Sequence, residues 1–230
     1  MTAAPPRRRA RGVLRAISSV LIVTGVLLLA DAAVTLLWQE PVSALYARVQ
    51  QNRLADDLAE LERAPLAPVE ERALRRIDDP AKRLAFRARA LERSLEPGDA
   101  MGRLRIPDIG ISEVVVQGTD AADLRKGPGH YPDTPLPGER GTVGIAGHRT
   151  TYGAPFRRLD QLDPRDRIEL TMPYGRFTYR VERTRIVPPT ALWVTDRVRF
   201  DRLILSACHP LYSASQRIVV FARLESAVPR

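Results

Sequence analysis

One cysteine, three histidines and no paired metal-ligand spacing set the first limits on this chain. With Cys208 alone, no internal disulfide can form, which leaves burial, metal binding or nucleophilic chemistry for the thiol. His130, His148 and His209 stand in neither a CxxC nor an HxxxH pattern, so no metal site is expected. No EF-hand-like carboxylate loop is present, and no cofactor is expected. The net charge of +9 comes without an aromatic-interleaved basic stripe, which argues against nucleic acid as a partner. Nor does any internal repeat or low-complexity stretch interrupt the second half of the chain.

The charge that is there is unevenly placed. Arg7, Arg8, Arg9, Arg11 and Arg15 precede any acid and lead into an apolar run from Ile17 to Trp38. At about 1.5 Å per residue, residues 17–38 would make a helix of roughly 33 Å, enough to cross the hydrocarbon core. Basic residues before the span put the amino terminus in the cytoplasm, and Trp38 suits the outer interfacial belt. Asp31 lies toward the outer end, where snorkelling reduces a cost of roughly 2.5 to 3.5 kcal/mol for a mid-helix charge. Ala30-Asp31-Ala32 resembles a signal-peptide cleavage site, but the apolar run continues past it, which favours an anchor.

Four further segments follow from texture. Residues 1–16 read as a basic cytoplasmic tail, and 39–98 as a stalk rich in Arg, Ala, Leu and Glu. Within the stalk, Leu54, Leu58 and Leu61, then Leu84, Ala88 and Leu91, recur at helical spacing. Pro65, Pro68 and Pro80 break it into two or three short amphipathic helices with solvated faces, and a coiled coil is disfavoured by unsustained heptads. Residues 99–226 change to short strands: Leu104 to Ile106, Ile111 to Gln117, Gly141 to Gly147, Arg167 to Met172, Arg176 to Arg183, Arg202 to Ala207 and Gln216 to Leu224. A turn at Pro107-Asp108, a hairpin tip at Tyr174-Gly175 and helical turns at 120–125 and 155–158 separate them. The pattern predicts a closed or nearly closed β-barrel, with residues 227–230 as a tail.

Cys208 ends the apolar run from Arg202, and His148 ends the run from Gly141. Each therefore sits where a buried strand exits to a loop. A thiol is a poor nucleophile at neutral pH unless an imidazole or cation raises its thiolate fraction. Arg217, at the start of the strand after Cys208, is placed to stabilise a developing oxyanion.

Gly127-Pro128-Gly129-His130-Tyr131-Pro132, Ala146-Gly147-His148-Arg149, Leu205-Ser206-Ala207-Cys208-His209-Pro210 and Arg217, in that order, resemble the sortase family, most nearly class E. The resemblance runs from about Leu104 to Leu224 and extends to the anchor-plus-stalk layout. It implies an eight-stranded barrel and a membrane-tethered cysteine transpeptidase with its catalytic domain outside the cell. By that likeness Cys208 attacks the Thr–Gly bond of a carboxy-terminal LAxTG- or LPxTG-type sorting signal on a secreted protein. His148 is the acid–base group, Arg217 holds the substrate and oxyanion, and a peptidoglycan-precursor amine accepts the acyl group. His130 and Tyr131 fit a substrate-groove wall. The family usually shows Thr-Leu-x-Thr-Cys, and here Ile204 and Ala207 stand at the threonine positions. Two other readings stay open on the residues alone: a hydrolytic cysteine peptidase of the envelope, and a non-catalytic anchored binding protein.

Overall fold

Prolines begin each of the three helices that follow the N-terminal one, where a fixed φ and a missing N–H cost nothing. The computed structural model describes residues 7–38 and 41–230, with side chains over 12–33 and 42–230. Helix α1 (Arg7–Trp38) carries the apolar window Gly12–Ala33, long and apolar enough to cross a membrane, with its side chains exposed. It begins at Arg7, ten residues before the expected start of the span, because arginine and alanine are themselves good helix formers. The rest of the expected basic tail, its arginine side chains before Gly12 and the Trp38 indole lie outside the described residues. Met1–Pro41 forms one unit and Val42–Arg230 a second.

In the second unit come α2 (Pro41–Arg63), α3 (Pro68–Leu74) and α4 (Pro80–Glu92). Asp79 caps α4, its carboxylate accepting from the N–H groups of Ala81 at 2.8 Å and Lys82 at 3.3 Å. The helical spacings in the sequence mark real apolar faces, but those faces are not stalk. Leu84, Ala88 and Leu91 join the core inside the barrel, and Leu54 and Leu58 pack on Ala100, Val114 and Val116. An amphipathic helix buries its stripe on whatever apolar surface is in reach, so residues 42–98 belong to the same unit as the strands.

The strands are β1 (Ala100–Ile106), β2 (Ile111–Gln117), β3 (Gly129–His130), β4 (Thr142–Ala146), β5 (Arg167–Met172), β6 (Gly175–Val187), β7 (Arg202–His209) and β8 (Gln216–Pro229), with a single turn α5 (Ala121–Leu124) before β3. They close in the order β1-β2-β3-β4-β7-β8-β6-β5. The β2–β3 and β4–β7 pairs are parallel and the others antiparallel. β8 reaches Pro229, opposite Gly175, so the residues expected as a tail are sheet. β3 spans two residues in what reads as a Gly/Pro loop and pairs only with Val116 and Gln117, so Val114 of β2, partnered by Arg103 of β1 on one side, has no strand on the other. Gln51 of α2 takes its place: its amide donates to the carbonyls of Val114 (3.0 Å) and Lys126 (2.9 Å), and its oxygen accepts from Val114 N–H (2.7 Å). A backbone edge that is half buried needs such partners.

Candidate active site

Side chains alternate across a strand, and the core contacts fix the phase. On β7, Leu203, Leu205 and Ala207 face the barrel interior, whereas Ile204 packs outside with Val187, Val194, Val219 and Phe221. Cys208 is in phase with Ile204 and Ser206, so it belongs to the outer face, half exposed. On β8, Ile218, Val220 and Ala222 point inward, which puts Arg217 on the outer face. Arg217 is also the direct cross-strand partner of Cys208.

β4 runs parallel to β7, with Ala146 beside Ser206. Gly147 N–H donates to Ser206 C=O at 3.0 Å, which extends this pairing past the end of β4. His148 then stands two residues beyond Ala146, as Cys208 stands two beyond Ser206, and in the outward phase set by Val143 and Ile145 inside. Gly147 is required here: a Cβ would approach the Phe156 ring to 2.6 Å. The backbone thus brings His148, Cys208 and Arg217 to the same end of the outer β4–β7–β8 face.

The His148 ring lies 5.1 Å from the Tyr152 ring, centroid to centroid, and its Nε2 is buried without a hydrogen-bond partner among the described residues. Burial, and secondarily the Arg125 guanidinium, hold its pKa below the ordinary imidazole value. The imidazole is therefore kept neutral. Tyr152 is held in turn by Ser43 Oγ, which accepts its N–H at 3.2 Å, and by the Tyr46 ring.

Beside Arg217 lies a cleft of about 220 Å³, walled by Val187 at the end of β6, by Pro188, Pro189, Leu192 and Val194 from the β6–β7 connection, and by Tyr131 and Thr134. Ser206 lines it too. Tyr131 reaches it because Gly144 has no side chain: a Cβ there would meet the Tyr131 ring at 2.6 Å. His130 does not reach it. That ring is 1% exposed, with Nδ1 2.9 Å from Gln117 Oε1, and Nε2 3.1 Å from Thr134 Oγ1 and 3.3 Å from Pro135 O. On a two-residue strand between β2 and β4, it is a packed, internally satisfied histidine and not a groove wall.

Burial pushes the His130 pKa down from 6.5 to about 4. Folding therefore loses stability as pH falls from about 6.5 toward 4, because the unfolded chain takes up a proton that the folded one refuses. The loss should reach about 3 kcal/mol at pH 4, at about 1.36 kcal/mol per pKa step. Urea unfolding of wild type and His130→Asn at pH 7 and pH 4 isolates this contribution. Equal pH dependence in the two chains would contradict it.

Sequence reasoning did not find Arg149. It is 2% exposed, donates to His209 Nδ1 at 2.7 Å and to Arg157 C=O at 3.4 Å, and pairs with Asp160 at 3.0 Å. Nor did it find Tyr152 or the Val187–Val194 wall. Pro188-Pro189 was the available signal for a stiff wall, but nothing local announces a buried arginine. Ile204 and Ala207 find simple places: the first seals the outer apolar cluster and the second faces the core.

A barrel that presents one thiol, one outward imidazole and one guanidinium at the end of three adjacent strands defines a class of cysteine-bearing barrel with an adjoining cleft. The Sortase domain family matches residues 104–225, and the chain belongs to the sortase family. It is similar to Sortase D of Bacillus subtilis (strain 168), 38% identical over 133 residues, covering 56% of this chain and 65% of that protein. It is also similar to Sortase SrtE1 of Streptomyces coelicolor, 26% identical over 234 residues, covering 94% of this chain and 58% of the relative. In neither case does the match reach two thirds of the relative's length. Among solved structures, sortase E from Streptomyces avermitilis aligns with a TM-score of 0.54 and 33% identity, over 58% of this chain and 93% of that one. The closed eight-stranded barrel is the sortase fold.

Proposed function

We propose that the chain is a membrane-anchored cysteine transpeptidase that cleaves LAxTG- or LPxTG-type sorting signals and passes the acyl group to a cell-wall amine. In this reading α1 spans the membrane with its amino terminus in the cytoplasm, and the barrel works outside. The observation that carries the chemistry is the common outer-face position of His148, Cys208 and Arg217 at the ends of β4, β7 and β8.

Neutral His148 takes the Cys208 proton as sulfur attacks the scissile carbonyl carbon. Arg217 stabilises the oxyanion, and His148 returns the proton to the leaving amine as the C–N bond breaks. An acceptor amine then attacks the thioester, its proton passing through His148 to the departing sulfur. The cleft beside Arg217 suits the apolar residues of a sorting signal.

The test is to incubate the full chain, in detergent, with an LAxTG peptide and triglycine. A covalent acyl-enzyme mass and a ligated peptide are expected. Hydrolysed peptide without ligation would favour a hydrolytic peptidase, and folded protein giving neither would refute the proposal. Arg125→Ala supplies a finer check. Removing that cation lets His148 protonate more easily, so the acid limb of kcat/KM should move to higher pH. An unmoved or oppositely moved limb would count against His148 as the base.

A further inference from the structure

Directly beneath the two outward-facing groups are two inward-phase residues joined to each other. Arg149 follows His148, and His209 follows Cys208, and each shares the phase of the core side chains of its own strand. Nη1 of Arg149 donates to Nδ1 of His209 at 2.7 Å. A guanidinium has no lone pair to offer, so His209 Nδ1 is the acceptor and its ring proton lies on Nε2. The same arginine is anchored by Asp160 Oδ2 at 3.0 Å and by the Arg157 carbonyl. The segment leaving β4 and the end of β7 are thereby cross-linked one residue past each reactive group, beyond the last backbone bond between them, Gly147 to Ser206.

We propose that Arg149 and His209 are positioning residues that fix the separation of His148 and Cys208. The proposal rests on the transpeptidase reading of the site. It follows from chain geometry: past Gly147 no β4–β7 backbone bond holds the two segments in register, and this side-chain bond takes over that task. His209 therefore serves as an acceptor for Arg149 and not as a second base, its Nδ1 lone pair being engaged. Misplacement by about 1 Å costs on the order of 10²-fold in rate, so loss of the cross-link should lower kcat while leaving the cleft beside Arg217, and hence KM, nearly untouched.

His209 is half exposed and is the residue to change, since Arg149 is buried with its own carboxylate partner. Full-length His209→Leu is expected to lower kcat for peptide ligation about 10- to 100-fold with KM within about twofold. His209→Gln, whose amide oxygen can accept from Arg149, should recover most of it. A substrate-free arm uses alkylation of Cys208 by iodoacetamide at neutral pH, which His148→Ala should slow, as should His209→Leu, with His209→Gln close to wild type. If alkylation and ligation respond to His148→Ala while His209→Leu behaves as wild type, the cross-link proposal is overturned alone. It is also overturned if the Leu and Gln variants fall equally, or if the loss lies in KM. If the wild-type chain neither ligates nor responds to His148→Ala, the transpeptidase reading itself has failed.

Discussion

A Cys208→Ala chain is expected to fold as the wild type does and to lose acyl-enzyme formation entirely, with kcat/KM for peptide cleavage falling on the order of 10⁴-fold or more. The fold should survive because Cys208 sits half exposed at a strand end, and truncation there removes one sulfur without opening a core cavity. Activity should not, because the thiol is the only cysteine in the chain and the thioester has no other sulfur on which to form. His148→Ala should cost nearly as much, and the double variant little more than either, since nucleophile and base act as one unit. Rates from peptide cleavage, with intact-protein mass for the acyl species, give the answer. Cleavage that persisted in Cys208→Ala would remove this thiol from the chemistry and leave the barrel as a binding scaffold.

The parts of this site visible in the sequence are those encoded by local pattern. Apolar runs that end at His148 and Cys208 mark strand ends, and the strand beginning near Arg217 follows from alternation; β4 stops at Ala146, β7 runs one residue past Cys208 to His209, and β8 starts at Gln216. What stayed hidden depends on neighbours distant in sequence. His130 lies in the same Gly/Pro-rich stretch as Tyr131, yet one is internal and the other lines the cleft. The difference arises from the pairing of β3 between β2 and β4, which two residues of sequence cannot announce. Arg149 reads as a loop cation and becomes a buried anchor only because Asp160 and His209 arrive from elsewhere. The helices before residue 99 were legible as amphipathic, but the surface that receives them was not.

That surface makes the second large effect. A chain that starts at residue 99 removes Leu84, Ala88 and Leu91 from the main core and Leu54 and Leu58 from the patch over Ala100, Val114 and Val116. Four leucines at about 2 kcal/mol of burial each come to about 8 kcal/mol, comparable with the whole stability of a typical domain, about 5 to 15 kcal/mol. Loss of Gln51 adds to this, because Val114 N–H and C=O would lose their partners. The barrel alone is therefore expected to be unfolded or aggregated, whereas a chain starting at Val42 should give a cooperative urea transition. Leu84→Ala tests the same contact more gently: its side chain fills the space above Gly138 and Gly175, where a Cβ would come within 3.1 and 2.8 Å of it. A loss of about 2 to 5 kcal/mol is expected there. Were the chain from residue 99 as stable as the one from Val42, these helices would be a detachable stalk after all. The packing of Leu84 and Leu91 would then contribute nothing to holding the barrel closed.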